Sequence, residues 1–549
     1  MSGTGTTEYD YVIVGAGSAG CVLANRLSED RLARVLVLEA GGWDRDPWIH
    51  IPLGIGKIFP ERLHDWMYFT EPEAEAAGRR IECARGKVIG GSSSINVMAY
   101  VRGHPSDYDR WAGAGLAGWS YREVLPYFRR AESWEDGANV YRGASGPLGV
   151  QRSKYRDSII GAFIEAGRAA GHPTPRDYNG ASQDGFSSVQ QTIRGGRRCS
   201  AAVAYLRPAL GRANLTVETA ALATRILIEG KRAVGIEYTH AGRRKTVRAA
   251  RDVILAGGVV NSPQLLMLSG IGDARALPAL GLAPLVDLPG VGRNLQDHIS
   301  VMLTYRRKGT SPFQKSMRYD RLALAIAEAR LFGRGRASDV PVGATAFLRS
   351  APDVKVPDLQ LLFLAAPFPT RPYFRPLVKP SPDGFGCRVA VLRPESRGRI
   401  ELASADPTAP VRIFANFFAA PGDRALLRVG IEKVREVMAQ APLLPYLAAE
   451  VAPGAGADEA AIDGFMRKTA VSVHHPIGTC RMGRASDEGA VVDPELRVRG
   501  IDGLRVVDGS VLPDLVGGNV NAPILMIAEK ASDLIRGRAP LVPAELPAA

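Results

Sequence analysis

Gly15-Ala16-Gly17-Ser18-Ala19-Gly20 stands between a strand-like apolar run, Tyr11–Val14, and a segment with helical spacing, Ser18–Ser28. A second apolar run, Val35–Leu38, ends at Glu39, nineteen residues after Gly20. This order of strand, glycine turn, helix, strand and acid predicts a βαβ unit with a parallel sheet. The first glycine permits the tight turn and the second lets backbone approach a pyrophosphate. The third lets helix and strand pack closely, and the phosphate sits at the positive end of the helix. An acid at the end of the second strand is placed to accept from ribose hydroxyls. A chain that opens this way is committed to an α/β dinucleotide-binding domain.

That domain does not account for 549 residues, which suit two large domains. Strand and helix runs recur at Thr216–Glu218, Arg225–Glu229, Asp252–Ala256 and Ser262–Leu268, and again from Val471 to Ile535. Between them, residues 300–465 carry alternating strand-like segments, including Asp358–Phe363 and Arg399–Leu402, with Pro-rich joins. The expected fold class is α/β plus α+β. A Rossmann-like domain, discontinuous in sequence (1–160, 201–299 and 466–540), would carry a substrate domain on a mainly antiparallel sheet. That second domain would comprise an excursion at 161–200 and the block 300–465, with residues 541–549 as a frayed tail.

Composition excludes several classes. The net charge of +13 is spread along the chain; its densest runs, Arg194–Arg198 and Arg243–Lys245, are short and lack interleaved aromatics, so no nucleic-acid partner is expected. No window is apolar enough for a transmembrane segment, and the first ten residues have no basic and apolar regions of a secretory signal. Five scattered cysteines never form a CxxC pair, which argues against a disulfide framework or zinc ribbon and for a reducing cytoplasmic location. No HExxH or clustered third ligand accompanies His474-His475, so no metal is expected. GxSxG and GxxxxGK[ST] are absent as well.

Four further motifs name a family. Gly86-Lys87-Val88-Ile89-Gly90-Gly91-Ser92-Ser93-Ser94-Ile95-Asn96, with Tyr100, Gly103 and Asp109 following, resembles the first signature of the glucose–methanol–choline oxidoreductases. Gly258 to Gly272 resembles the second, with Val259 where the family has a smaller residue. His475-Pro476-Ile477-Gly478-Thr479-Cys480 and Gly518-Asn519-Val520-Asn521-Ala522-Pro523 resemble its active-site segments. The resemblance covers residues 9–535, only loosely over 300–465.

The resemblance implies FAD and oxidation of an alcohol. It points to a cofactor site of Gly15, Gly17, Ser18, Ala19, Gly20, Glu39, Ala40, Arg85, Gly90, Gly91, Ser92, Asn96, Val97, Met98, Ala99, Ala223, Asp508, Gly509, Asn521 and Pro523. Some relatives hold FAD through a histidine; the corresponding residue is Asn96, which implies non-covalent FAD. His475 occupies the position of the catalytic base and Asn519 that of its partner, an amide that orients but does not titrate. Adjacent side chains of an extended segment point to opposite faces, so one of His474 and His475 is expected at the flavin, and His474 is given a substrate-side rather than catalytic place. Phe363, in the apolar run Asp358–Thr370, is the other substrate candidate, although alternation leaves open whether Gln360 and Leu362 or Leu361 and Phe363 face inward. The expected substrate is a neutral aromatic or aliphatic primary alcohol, and the expected acceptor oxygen, a quinone or a soluble carrier. Related proteins that cleave cyanohydrins or decarboxylate fatty acids in light supply the alternatives.

Overall fold

The computed structural model describes residues 8–367 and 370–547. Glu8–Val14, the helix Ser18–Leu27 and Val35–Leu38 form the expected βαβ start, with Val35–Leu38 parallel to the first strand and entirely buried. On its other side the first strand pairs in parallel with Arg243–Leu255, which in turn pairs in parallel with Leu504–Val506. Leu215–Glu218 closes the far edge beside Val35–Leu38. The remaining strands form an antiparallel meander: Arg232–His240 pairs antiparallel with the long Arg243–Leu255, and Ala221–Glu229 pairs antiparallel with Arg232–His240 at the edge. Charged residues crowd the two turns of that meander, at Glu229–Arg232 and Arg243–Lys245, and interrupt the apolar runs by which its length would be read.

A second sheet is wholly antiparallel along its main path. Its order is Leu447–Ala452, Ile299–Arg307, Gly384–Val391, Leu359–Leu364, Val342–Leu348 and Gly185–Ser188. Alternation divides its faces. Val301, Leu303, Leu361, Phe363, Cys387 and Val389 pack into a second core against the helix Pro421–Met438. Residues of opposite parity, including Met302, Leu362, Leu364 and Arg388, face the dinucleotide-binding half across a shared cavity. Gly430 of that helix is in tight register: an added Cβ would lie 2.6 Å from Val389 Cγ2.

Sheet membership shifts two expected boundaries. The excursion into the second core begins earlier than residue 161, because the helix Ser158–Ala169 contributes Ile159, Ile160 and Phe163 to it. At the other end Val471–Ser472, expected in the dinucleotide-binding part, pairs with Ile299–Ser300 of the second sheet. The tail is not frayed over its described length. Leu541 N donates to Tyr127 Oη at 3.2 Å, Ala544 N donates to Arg122 O at 2.8 Å, and Arg122 Nε returns a bond to Ala544 O at 3.1 Å. Its prolines hold an extended course that lies on the helix Tyr121–Ala131; Ala548 and Ala549 are outside the described residues.

Candidate active site

A cavity of about 1320 Å³ runs from the first glycine turn to the inner face of the second sheet. At one end Gly15 has φ +101°, and a Cβ there would lie 2.5 Å from Ala256 O, so only glycine allows the turn. A Cβ at Gly17 would meet nothing nearer than 3.9 Å, leaving open space where a pyrophosphate needs to approach. Glu39 is buried at the end of its strand; Oε2 accepts from Ala16 N and Oε1 from Gly41 N, both at 2.8 Å. Burial pushes its pKa up to about 7 against those two donors and Lys87. Each oxygen keeps a second lone pair for a ribose hydroxyl. Open backbone at Gly17, an acid at the strand end and an elongated cavity fit FAD.

Most of the expected cofactor residues line this cavity, including Ala40, Arg85, Gly91, Ser92, Ala223 and the run Asn96–Ala99. Three do not. A Cβ on Gly20 would lie 1.9 Å from Gly15 O, so its glycine serves helix–turn packing. Gly90, at φ +88°, would clash with Ser94 Oγ at 2.2 Å and shapes the Gly/Ser turn from behind. Pro523 is buried inside the first turn of the helix Asn521–Ile535. Asp508 and Asn521 do line the cavity, yet their carboxylate and amide also bind protein. Asp508 Oδ2 accepts from Gly258 N (2.8 Å) and Ser262 Oγ (2.6 Å), which pins the start of the helix Gly258–Leu268 beside Gly509. Asn521 Oδ1 accepts from Ser18 Oγ at 2.7 Å, tying the first and last helices together at the phosphate end. Asn96 Oδ1 accepts from Met98 N (3.0 Å) and Arg198 Nη1 (2.8 Å).

The catalytic candidates sit where the two sheets meet. Asp297 Oδ1 accepts from His475 N at 2.9 Å, and its other oxygen accepts from Ser472 Oγ. Ser472 Oγ in turn accepts from His474 N at 2.7 Å. This clamp holds His474 at φ +63°, so the segment is not extended. The expected alternation fails for that reason, and both histidines line the cavity. His474 packs its ring 6.1 Å from that of Phe59, and its carbonyl accepts from Arg85 Nη2 at 2.6 Å.

His475 makes the decisive contacts. Its Nδ1 is 3.0 Å from His298 Nδ1, and His298 Nε2 is 3.0 Å from Leu392 O. A carbonyl only accepts, so His298 carries its proton on Nε2 and offers Nδ1 as acceptor. His475 must then donate from Nδ1, which leaves Nε2 unprotonated. That Nε2 accepts from Asn519 Nδ2 at 2.9 Å. Gln360 Nε2 approaches Asn519 Oδ1 at 3.5 Å, consistent with this amide orientation. Burial, followed by the charges of His298, Arg85, His474 and Arg388, drives the pKa of His475 well below its usual 6.5. The ring is a neutral base at neutral pH, with its lone pair held beside an amide donor.

Phe363 is not at this site. It is fully buried in the second core and stacked on Phe163 with ring centroids 4.4 Å apart; Gln360 and Leu362 occupy the inward parity. Phe368 and Pro369, in the same expected lining segment, are outside the described residues. Asp297, His298 and Arg388 carry no role in the sequence reading, and Gln360 enters it only as one of two alternative inward faces. The Asp-His pair before the strand Ile299–Arg307 was the available signal, but its partners lie some 175 residues away.

Family models for GMC oxidoreductases match residues 9–300 and 394–528. The chain belongs to the GMC oxidoreductase family. It is 44% identical to human mitochondrial choline dehydrogenase over 554 residues, covering 98% of this chain and 92% of that protein. It is equally identical to the oxygen-dependent choline dehydrogenase of Brucella anthropi over 537 residues, with 97% and 96% covered. Among solved structures, pyridoxine 4-oxidase from Mesorbium loti is similar with a TM-score of 0.86 and 33% identity, covering 97% of this chain and all of that one. As a GMC oxidoreductase this chain binds FAD and acts on CH–OH groups. Among the described residues no helix is long and apolar enough to cross a membrane, and no cluster of metal-ligating side chains occurs.

Proposed function

We propose that the protein oxidises a primary alcohol with an aromatic or aliphatic body to the aldehyde, with His475 as general base. The observation that carries this is the hydrogen-bond chain from Leu392 O through His298 to His475, which leaves Nε2 as a fixed acceptor in the cavity. A substrate hydroxyl that displaces the Asn519 amide from that nitrogen passes its proton there. The second Nδ2 hydrogen of Asn519 is available to hold the developing alkoxide. FAD, when bound, would supply the acceptor for the hydride that leaves the carbinol carbon with its electron pair. Met302, Val342, Leu362 and Leu364 present apolar walls that exclude water and suit a hydrocarbon body. Asn96 has no nucleophilic nitrogen to bond to the flavin, which supports non-covalent FAD. Oxygen, a quinone or a soluble carrier then reoxidises it, and the five free cysteines support a reducing, cytoplasmic setting.

Choline, the substrate in the names of the two relatives, fits this cavity poorly. A quaternary ammonium needs a carboxylate or open aromatic faces. Of the acids that line the cavity, Glu39 and Asp508 are bonded to backbone at the cofactor end, while Glu61 and Glu82 face Lys57 and Arg62. The rings of Trp48 and Trp66 already carry Lys57 at 5.2 Å and Lys87 at 4.5 Å, which leaves Phe59, Phe313 and Tyr319 as the other aromatic residues of the lining, with no free carboxylate among the described residues to complete a cation site. Anaerobic mixing with a panel of alcohols tests the reading. Bleaching of oxidised flavin by aryl or alkyl primary alcohols is expected, lowered about 10²–10⁴-fold in His475→Ala and much less in His474→Ala. Cyanohydrin cleavage or light-driven decarboxylation without bleaching by any alcohol would refute it.

A further inference from the structure

Arg388 is the one feature of the substrate end that an apolar alcohol leaves unused. It lies in the middle of Gly384–Val391, opposite Met302 on one neighbouring strand and Leu362 on the other. All three share the inward parity and line the cavity. Among the described residues its only side-chain hydrogen bond runs from Nη1 to Ser300 Oγ at 2.9 Å, and Ser300 Oγ donates in turn to Val471 O at 3.2 Å. Among the described residues no carboxylate pairs with it. Burial alone lowers its pKa to about 10, still far enough above neutrality to keep it charged. Nε and Nη2, which together form the side-on fork of a guanidinium, have no partner among the described residues, and neither is sealed from open space.

An unpaired cation beside apolar walls is costly, and the usual resolution is a counter-charge. No side chain supplies one here. The group also lies close enough to the base to depress the basicity of both His474 and His475. A ligand anion on the free fork therefore neutralises a charge that otherwise opposes proton uptake by His475. The guanidinium comes from a central strand of the second sheet and the ring nitrogen from the segment that follows Val471–Ser472, which pairs with Ile299–Ser300 of the same sheet, so a ligand that reaches both is fixed at two points.

We propose that Arg388 anchors a carboxylate at one end of the substrate, so that the alcohol oxidised is a hydroxymethyl or ω-hydroxy carboxylate with an apolar spacer. This deepens the reading of the site as an alcohol-oxidising one and rests on it. It replaces the expectation of a wholly neutral alcohol. The chemistry at the other end is unchanged: the hydroxyl proton goes to His475 Nε2, and two electrons leave the carbinol carbon as hydride to bound FAD. The carboxylate is neither made nor consumed. A compact planar monoanion matches the open edge, because Nη1 is already committed to Ser300.

The test compares matched alcohols on the holoenzyme: 4-(hydroxymethyl)benzoate against benzyl alcohol, and 6-hydroxyhexanoate against 1-hexanol. Anaerobic flavin bleaching gives kcat/KM, and perturbation of the oxidised flavin spectrum by benzoate and hexanoate gives Kd without turnover. Each carboxylate alcohol is expected to exceed its neutral partner at least tenfold. Arg388→Gln is expected to bring that ratio close to one and weaken benzoate binding roughly 30-fold or more, the cost of removing one partner of a desolvated pair. Arg388→Lys keeps the charge without the fork and is expected between the two. Arg388→Glu inverts the order in favour of alcohols bearing a quaternary ammonium. Neutral alcohols equal to carboxylates in the parent protein, or a preference that survives Arg388→Gln, overturns the proposal. Should no alcohol bleach the flavin, the reaction assignment fails, yet benzoate Kd across the variants still reads the anion site by itself.

Discussion

Replacing His298 with alanine tests whether His475 owes its reactive tautomer to a neighbouring ring. His298 receives the Nδ1 proton of His475 at 3.0 Å and is itself fully buried, locked to Leu392 O. Its removal leaves a buried N–H without an acceptor in a cavity too enclosed for easy rehydration. An unsatisfied buried donor costs about 1–3 kcal/mol. The tautomer that avoids this cost by moving the proton to Nε2 is the unreactive one. If the whole cost appears as a loss of the reactive form, the rate of flavin reduction falls about 5- to 150-fold, at 1.4 kcal/mol per tenfold. The assay is anaerobic stopped-flow reduction over a range of substrate concentrations. The limiting rate should fall while the apparent substrate Kd moves less than about threefold, because His298 does not line the cavity. His298→Asn, which offers an amide oxygen, should recover part of the loss. A limiting rate within twofold of the parent, with FAD retained, would refute the tautomer argument. So would an effect confined to Kd.

Other outcomes follow from the same geometry. The pKa of His475 lies well below 6.5, and the base is competent only when neutral, so reduction rates should be flat from about pH 8 to pH 6 and fall on further acidification; an acid limb centred at or above 6.5 contradicts this. His298, lowered to about 4, and His474, lowered to about 3, join His475 in binding protons more weakly when folded. Their contribution to stability is intact above the unfolded value near 6.5 and is lost as pH falls towards the folded values, which thermal melts between pH 7 and pH 4.5 should register as a declining Tm. Glu39→Ala should weaken FAD retention, because it removes the acceptor for Ala16 N and Gly41 N together with the ribose partner; gel filtration should yield mostly apoprotein, and full retention of flavin would count against the site. Acid precipitation of the parent protein should release FAD into the supernatant, whereas flavin remaining on the polypeptide would mean attachment elsewhere than Asn96.

What was legible in the sequence was local. The glycine turn, its flanking strand and helix, and Glu39 lie within thirty residues and report one another through spacing alone. His475 and Asn519 were readable through motifs rather than periodicity, and their mutual contact was not. The inward face of Leu359–Leu364 could not be chosen, since both parities are apolar; only the second core, through Phe163 and Phe385 packed on Phe363, decides it. The helix Tyr319–Phe332 escaped notice because it is apolar on nearly every side, so it has no period of polarity to detect. Arg388 reads from the sequence as an ordinary cation in an alternating strand. Its meaning comes from the strands beside it, which bring no acid.

The pairing of Val471–Ser472 with Ile299–Ser300 is only two residues long, yet both histidines of the proton chain lie beyond the same end of it. Val473 N donates to His298 O at 3.0 Å, so the two segments leave the ladder side by side. A slip of one residue would carry His475 Nδ1 away from its acceptor and reverse which side chains face the cavity. For anyone recombining parts of such enzymes, this sets a rule about cut points. A chimera that takes the strand Ile299–Arg307 from one parent and the segment 471–475 from another inherits a seam neither parent shaped. The two pieces must travel together, although nearly the entire second sheet lies between them in the gene.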